Sequence, residues 1–281
     1  MSQNSGYRIR QMSRGELDLV VDWAADEGWN PGLRDAGSFY LVDPEGFFVG
    51  ELDGEIISSV SAVRYEGGFG FLGFYIVKKT YRKQGYGLQI WNRAMSYLQG
   101  YNVGLDGVVD QQPNYRKSGF KLAHNNIRYC FSGRTHMSDK VMPLKAIYFN
   151  EILKLDRQCF PGLHENFLRS WISREGTFSF GIQEQGHLLA MGVIRPCRKG
   201  FKIGPLYADC FDHAEKIFRS LASYADGQHV YLDVPEVNHE AMKLAEKYQM
   251  EKVFETARMY TGDKPQMAEN KIFGVSTFEL G

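Results

Sequence analysis

Residues 75–87 read Tyr75-Ile76-Val77-Lys78-Lys79-Thr80-Tyr81-Arg82-Lys83-Gln84-Gly85-Tyr86-Gly87. An aromatic-rich segment with high strand propensity (69–77) ends in this stretch, and a helical pattern begins at Leu88. A glycine-rich turn that opens a helix after a strand is an anion-binding device, because its free N–H groups and the positive end of the helix dipole point at the same place. Arg82 and Lys83 add formal positive charge. The sequence therefore predicts a ligand with phosphate groups at this turn.

The spacing of the glycines excludes two common phosphate-binding loops. A Walker loop ends in Gly-Lys-Ser/Thr, whereas this turn continues with Leu88 after Gly87. The dinucleotide fingerprint needs a third glycine, and Ile90 stands at that position. The pattern Arg82-x-x-Gly85-x-Gly87 instead resembles the Arg/Gln-x-x-Gly-x-Gly/Ala motif of the GCN5-related N-acetyltransferase (GNAT) family. In that family the motif cradles the pyrophosphate of coenzyme A.

A second motif follows downstream and reads Tyr115-Arg116-Lys117-Ser118-Gly119-Phe120. It comes after an apolar strand-like segment (103–109) and resembles the Tyr-x-x-x-Gly-Phe signature of the same family. In the family this tyrosine lies near the sulfur of coenzyme A. The two motifs occur in the family's order, with one helix and one strand between them, so the resemblance covers residues 5–135.

The resemblance implies that acetyl-coenzyme A is the cosubstrate and assigns roles to named residues. The backbone of Tyr75, Ile76 and Val77 would pair with the pantetheine arm. Tyr115 is the candidate general acid for the departing thiolate, since an ordinary tyrosine with a pKa of about 10 is protonated at neutral pH. The remaining expected coenzyme contacts are Arg82, Lys83, Gln84, Gly85, Tyr86, Gly87, Leu88 and Asn114.

The general base is less well defined by the sequence. No acid lies on the strand 69–77, where some family members place one. Asp110 is the favoured candidate, Asp106 and Glu66 are the other nearby carboxylates, and a water chain or an already neutral amine are the alternatives. Glu279 could reach an acceptor cleft, as could the carboxylate of Gly281, but a structural role is the favoured interpretation of this C-terminal stretch.

The chain also matches itself at a spacing of about 130 residues, which is typical of a duplicated domain. The matching segments, in the same order, are 31–33 with 161–163, 47–57 with 178–188, 73–77 with 204–208, 105–106 with 232–233, and Arg128 with Arg258. The second copy lacks the glycine pair. Asp209-Cys210-Phe211-Asp212-His213 stands there instead, and its two acids would repel a pyrophosphate.

These patterns predict an α/β fold with a mixed sheet and helices on both faces. We expect two tandem GNAT folds: a catalytic, acetyl-coenzyme A-binding domain over residues 1–135 and a degenerate domain without the coenzyme loop over residues 141–281. A parallel strand pair beside the phosphate helix would leave a crevice at the carboxyl ends of its strands.

Composition excludes several other functions. The chain has 281 residues with 33 basic and 33 acidic side chains, so no long-range field favours nucleic acid or an anionic membrane. The four cysteines are widely spaced, and neither cysteines nor histidines show metal-ligand spacing, so we expect no disulfide framework and no metal. Met1–Arg10 lacks the apolar core of a signal peptide. We expect a cytoplasmic protein that is a monomer or a weak dimer.

The predicted function is transfer of an acetyl group from acetyl-coenzyme A to a primary amine of a small molecule, by direct attack. Two alternatives remain open. One is a non-catalytic sensor or interaction module that binds coenzyme A, and the other is a protein lysine acetyltransferase.

Overall fold

A computed structural model describes residues 6–281 and shows one mixed sheet flanked by helices. The strands are β1 (Tyr7–Gln11), β2 (Phe47–Leu52), β3 (Glu55–Tyr65), β4 (Phe69–Val77), β5 (Asn102–Val108), β6 (Lys121–Phe131), β7 (Met142–Pro143), β8 (Phe178–Glu184), β9 (His187–Pro196), β10 (Phe201–Ala208), β11 (Val230–Pro235), β12 (Glu251–Tyr260) and β13 (Ile272–Gly274). The helices are α1 (Arg14–Asp26), α2 (Asp35–Tyr40), α3 (Tyr86–Tyr97), α4 (Gln112–Lys117), α5 (Phe149–Cys159), α6 (Glu165–Ser173), α7 (Phe211–Ala222) and α8 (His239–Lys247).

The sheet shows that the two sequence repeats exchange one strand. Its order is β1-β2-β3-β4-β5-β12-β6-β11-β10-β9-β8-β7, and β13 pairs with β10 beside this path. Strand β12, from the second repeat, pairs antiparallel with β5 of the first, while β6, from the first repeat, pairs antiparallel with β11 of the second. The exchanged strands β6 and β12 also pair with each other. Both repeats are therefore needed to build either half of the sheet.

Contacts between the repeats occur in equivalent pairs. Gly32 forms a β-bridge to Cys197, and Leu163 forms one to Glu66. With the repeat offset of about 130 residues, Gly32 corresponds to Leu163 and Glu66 corresponds to Cys197, so the two bridges are equivalent. The hairpins β2–β3 and β8–β9 also turn in the same way, with two successive residues of positive φ in each: Asp53-Gly54 and Gln185-Gly186. The two sequence repeats are thus related in the structure by a pseudo-two-fold axis.

A pair of parallel strands opens in each half. Strands β4 and β5 pair only from Phe69 to Leu72, and within the described residues 6–281 the end of β4 has no strand partner on that side. In the second half β10 and β11 pair only from Phe201 to Ile203. There the opening is filled, because β13 pairs antiparallel with β10 at Leu206 and Tyr207. The first opening is the one that can accept a ligand.

Local sequence explains where the helices begin. Ser13 caps α1 and forms a capping box with Glu16, which satisfies two backbone N–H groups at the helix start. The side chain of Asn238 caps α8 by accepting hydrogen bonds from two backbone N–H groups. Helix α3 has no side-chain cap and begins after Gly85, whose φ is +89°. Its first N–H groups remain available to a ligand.

The prediction of an α/β fold with a mixed sheet is confirmed. The predicted strand 69–77 coincides with β4. The boundary between residues 135 and 141 stays a prediction, and the exchange of β6 and β12 was not expected from the sequence. No helix within residues 6–281 is long and apolar enough to span a membrane.

Two buried ion pairs lie on the exchanged strands. The Arg128 guanidinium on β6 donates to both carboxylate oxygens of Asp233 on β11, at 2.6 and 2.8 Å. In the equivalent position, the Arg258 guanidinium on β12 donates to Asp106 on β5 at 2.8 and 2.6 Å. All four side chains are at most 6% exposed. Each repeat therefore supplies the counter-ion that neutralises the other's buried charge.

We expect the substitution Asp233→Ala to lower the free energy of unfolding by about 3–5 kcal/mol, because it leaves the Arg128 guanidinium buried without its partner. Urea unfolding followed by circular dichroism measures this change. The control is Asp18→Ala, which removes the exposed, 3.0 Å ion pair with Arg14 on α1 and should change stability little. Equal effects of the two substitutions would contradict the structural role of the buried pair.

Candidate active site

A cavity of about 780 Å³ occupies the opening between β4 and β5. Strand β4, the turn before α3, strand β5, helix α4 and segments of the second repeat all contribute to its wall. The lining residues include Glu27, Trp29, Leu72, Gly73, Phe74, Tyr75, Ile76, Val77, Arg82, Lys83, Gly85, Gly87, Leu88, Asp106, Gly107, Asn114, Tyr115, Phe254, Thr256, Phe278 and Glu279. This volume is within the range of small-molecule sites.

The turn before α3 provides an anion cradle. Gly85 has a φ of +89°, and apart from adjacent backbone, no atom of residues 6–281 would lie within 4 Å of a Cβ added there, so the turn faces open space. Lys83 also has a positive φ, of +65°. The glycine permits this backbone shape at low cost, and the N-terminus of a 12-residue helix lies directly behind it. Free N–H groups, the helix dipole and the Lys83 charge therefore favour an anion here.

Arg82 fixes the position of this turn. Its Nε donates to the carbonyl oxygen of Val77 at 2.8 Å, and its guanidinium forms a 2.5 Å ion pair with Glu27 after helix α1. The same side chain thus ties the turn to the end of β4 and to the first helix. This geometry gives Arg82 a positioning role in addition to its charge.

A β-bulge opens the edge of β4. The register with β3 shifts between Ser59 and Ser61, and Phe74 has a φ of +45° at this point. The Ser59 hydroxyl donates to the Phe74 carbonyl at 2.8 Å, which holds the distorted backbone in place. From Gly73 onwards β4 has no pairing with β5. Its backbone can therefore hydrogen-bond an extended ligand in place of a strand.

Tyr115 lies on the other side of the opening, on α4. Its ring stacks against Trp91 of α3 with 5.8 Å between centroids. A side chain at Gly107 would overlap this ring, so the glycine on β5 makes room for it. Burial, followed by the nearby Tyr75, raises the pKa of Tyr115 to about 12. The phenol therefore holds its proton throughout the neutral range.

The cavity connects the two faces of the sheet. Leu72 belongs to the core beneath α3, which also contacts Tyr115, whereas Phe71 and Phe74 belong to the core beneath α1 and α2. Gly73, which alternates with Leu72, faces the second of these cores. A molecule bound along the α3 side can thus meet another that enters from the opposite side.

Ten of the thirteen residues predicted from the sequence line this cavity. They are Tyr75, Ile76, Val77, Arg82, Lys83, Gly85, Gly87, Leu88, Asn114 and Tyr115. Gln84 is directed away and donates to the Thr80 carbonyl at 3.0 Å. Tyr86 is buried against Tyr7, with 4.8 Å between ring centroids. For these two residues only a backbone contact with a ligand fits the structure.

Asp110 does not lie where a general base is needed. Its side chain is exposed on the short turn after β5 and is not part of the cavity wall. The second candidate, Asp106, lines the cavity, but both of its oxygens are used by Arg258 and one also accepts from Asn126 at 2.8 Å. Glu66 is exposed beside its bridge to Leu163. The structure does not support any of these three as a base.

The sequence indicated that Glu279 could reach an acceptor cleft, but no local pattern pointed to the other wall residues that come from distant segments. Trp29 follows α1, Phe254 and Thr256 lie on the exchanged strand β12, and Phe278 and Glu279 lie near the end of the sequence. The signal for β12 was the Arg258 match to Arg128. This match indicated that β12 is equivalent to β6, but it did not indicate that β12 pairs with β5 of the first repeat.

The equivalent region of the second repeat has no anion cradle. Strand β10 ends at Ala208 and α7 begins at Phe211, so the loop is shorter than the one before α3. Within this turn, possible metal-ligand atoms of Asp209, Cys210 and His213 lie within 4.8 Å of one another, and a 2.7 Å hydrogen bond joins Asp209 to His213. Together with the filled opening beside β10, this turn distinguishes the second half from the first.

Comparison with known proteins agrees with this geometry. Two family models match the chain: one described as the acetyltransferase (GNAT) family over residues 13–120, and one described as an acetyltransferase (GNAT) domain over residues 152–274. The chain is also 31% identical to holothin acyltransferase of Pseudoalteromonas sp. (strain SANK 73390), over all of this chain and 97% of that protein.

The chain belongs to the GNAT family.

Members of this family transfer acyl groups from acyl-coenzyme A, and this GNAT protein is an N-acyltransferase with two GNAT units in tandem. A crystal structure from Pyrococcus horikoshii, of a protein assigned as an acetyltransferase, superimposes with a TM-score of 0.84 at 22% identity over 100% of this chain and 98% of that one. A tandem GNAT protein from the clavulanic acid biosynthesis pathway gives 0.64 at 12% identity, over 92% and 99% of the two chains. These two structures support the fold.

We expect the substitution Gly85→Glu to abolish binding of coenzyme A, because it places a carboxylate in the anion cradle. Isothermal titration calorimetry with coenzyme A measures the affinity. The matched control is Gly100→Glu: Gly100 has a φ of +87° and equally open surroundings, but it lies in the turn between α3 and β5. Both variants carry the same backbone strain, so equal loss of affinity would show that the cradle is not the binding site.

Proposed function

We propose that this GNAT protein transfers an acetyl group from acetyl-coenzyme A to a primary amine of a small molecule. The observation that carries the proposal is one continuous cavity that joins an anion cradle, an unpaired strand edge and a buried tyrosine. Each of these features serves a different part of acyl transfer: holding the phosphates, aligning the arm and protonating the leaving sulfur.

The residues of the first half fit a coenzyme A molecule. The backbone of the turn from Lys83 to Leu88 would hold the pyrophosphate, with Arg82 keeping the turn in place. The free edge of β4 at Tyr75, Ile76 and Val77 would hydrogen-bond the amide groups of the arm. An N–H of this edge could also polarise the acyl carbonyl, an effect worth about 2.7–4 kcal/mol for a comparable donor. Bound acetyl-coenzyme A would supply the activated acyl thioester.

Tyr115 is our candidate general acid. Its phenol lines the cavity beside β5, and its raised pKa keeps it protonated, which an acid must be at the start of the reaction. A donor with so high a pKa gives up its proton only to a strongly basic group. An alkyl thiolate of ordinary basicity is a weaker base than this phenolate, so the transfer requires that the burial which raises the pKa of Tyr115 also raises that of the departing thiol.

The proposal extends to the domains and the assembly. We propose that residues 1–135 carry the coenzyme site and that residues 141–281 form a degenerate unit whose strands and C-terminal segment complete the acceptor side of the cavity. The contributions of Phe254, Thr256 and Phe278 to the wall support this division of labour. Since the two repeats already form a pseudo-two-fold within one chain, we expect a monomer.

A small acceptor fits the cavity better than a protein side chain. The aromatic residues Trp29, Phe254 and Phe278 bound the acceptor side of the cavity. The relative from Pseudoalteromonas is named holothin acyltransferase. We therefore favour a small-molecule amine over the lysine of a protein.

The experiment offers purified protein acetyl-coenzyme A with a library of small amines, and separately with lysine-containing peptides, while free thiol is measured. Thiol release that depends on a small amine supports the proposal. Release only with peptides would favour a protein lysine acetyltransferase, and tight coenzyme binding without turnover on any acceptor would favour a sensor.

For Tyr115→Phe we expect kcat to fall by about 100-fold, with unchanged affinity for coenzyme A, because only the acid is removed. In the wild type, a Tyr115 pKa of about 12 predicts no loss of activity from this group as the pH rises to about 10. Steady-state kinetics from pH 6 to 10 measure both effects. The control is Tyr148→Phe, whose side chain is 85% exposed; a variant at Tyr115 as active as this control would exclude the role.

A further inference from the structure

The C-terminal segment (275–281) passes through equivalent places in both halves. A side chain at Gly204 on β10 would overlap the backbone oxygen of Ser276, and a side chain at Gly73 on β4 would overlap that of Glu279. Gly73 and Gly204 are matching positions of the sequence repeat. The segment therefore runs from the opening beside β10, which β13 fills, to the opening beside β4, which contains the cavity.

Several hydrogen bonds fix the end of this segment. The Tyr65 hydroxyl, from β3, donates to the Leu280 carbonyl at 2.7 Å. The backbone N–H of Gly281 donates to the Thr277 carbonyl at 3.2 Å, and the Thr277 hydroxyl donates to one carboxylate oxygen of Glu279. As a result, Glu279 is held in one place and is 3% exposed; the residue contributes to the cavity wall, and its backbone carbonyl lies against Gly73.

Glu279 differs from the other carboxylates of the cavity in having no ion-pair partner. Glu27 is paired with Arg82 at 2.5 Å, and Asp106 is paired with Arg258 at 2.6 Å. Within residues 6–281, no basic side chain lies within 4.0 Å of Glu279. A buried carboxylate without a cation is costly. A cationic ligand group in the cavity would supply the missing partner.

Two basic residues are near Glu279 but are held by other groups. The Arg128 guanidinium forms its ion pair with Asp233, and its centre lies 4.7 Å from the centroid of the Phe278 ring. The buried Lys202 ammonium donates to the Trp29 carbonyl at 3.5 Å. Against the lowering effect of burial, Asp233 and, to a smaller extent, Glu279 raise the pKa of Arg128. Burial lowers the pKa of Lys202, and Asp233 and then Glu279 oppose this lowering. Glu279 could therefore have a purely structural role, in which it balances the charges of Arg128 and Lys202. A test must distinguish this role from binding of a ligand.

The surroundings of this carboxylate indicate the shape of its ligand. Phe254 and Phe278 lie with 6.4 Å between ring centroids and 40° between planes, and Trp29 shares the same wall. Aromatic walls of this kind accept flat apolar groups. One carboxylate among aromatic rings is complementary to a primary ammonium attached to such a group.

We propose that Glu279 binds the ammonium group of the acceptor and takes its proton, and that the acceptor is a small primary amine on a flat apolar body. This deepens the proposed function and rests on it. The amine loses one proton to the Glu279 carboxylate, and its lone pair forms the N–C bond to the thioester carbonyl carbon. The C–S bond breaks, and the sulfur takes the Tyr115 proton. The nitrogen's second proton restores Tyr115, and Glu279 returns its proton to solvent.

The binding test uses benzylamine, a cation at neutral pH, and aniline, which is neutral there. Calorimetry is performed with protein saturated with coenzyme A, which cannot react. We expect Glu279→Gln to weaken benzylamine binding about tenfold to a hundredfold, the range for a hydrogen bond to a charged group, and to leave aniline and coenzyme A binding unchanged. The control is Glu251→Gln on the exposed end of β12, which should bind both amines as the wild type does.

Two results would overturn this inference. One is equal benzylamine affinity in the wild type and Glu279→Gln. The other is a parallel loss of both amines together with lower stability in urea, which would show the structural role alone. The proposed function is tested separately by thiol release from acetyl-coenzyme A with benzylamine. If benzylamine binds through Glu279 but no amine is acylated, the ammonium site stands and the proposed reaction fails.

Discussion

The reciprocal ion pairs Arg128–Asp233 and Arg258–Asp106 are the constraint on which the rest of this structure depends. In each pair a guanidinium from one repeat meets a carboxylate from the other on neighbouring antiparallel strands, and all four side chains are at most 6% exposed. Neither repeat could bury its own arginine without this partner, because an unpaired buried charge is strongly destabilising. The pairing therefore specifies the strand exchange that joins the two repeats into one sheet.

That exchange explains why a duplicated fold has two different openings. The pseudo-two-fold symmetry gives each half a pair of parallel strands that separate at their ends. The residues from β13 to Gly281 pass beside both of these openings. Strand β13 fills the opening beside β10, and the residues after it form part of the wall of the opening beside β4. The second repeat has thus become a supporting element of the first repeat's cavity. Its short acidic turn fits the same division, since it offers no cradle for a pyrophosphate.

The sequence predicted features that depend on neighbouring residues. Most residues of the motif from Arg82 to Gly87, the end of the strand before it and Tyr115 line one cavity, and their spacing in the sequence reflects local backbone geometry. Asp110 was chosen by nearness in sequence, and a turn directs it to solvent. The role of Glu279 at the wall depends on a path across the whole sheet, which no local pattern records. The matching arginines were visible, but their partners could be identified only from the sheet order.

The central claim is that strand exchange and the C-terminal segment leave one working acyl-coenzyme A site in a chain that contains the fold twice. The most direct measurement is the stoichiometry of acetyl-coenzyme A binding to the full chain by isothermal titration calorimetry. The account predicts one molecule bound per chain, with a single transition in the titration. Two molecules bound per chain would contradict it, because the opening beside β10 would then also accept the ligand.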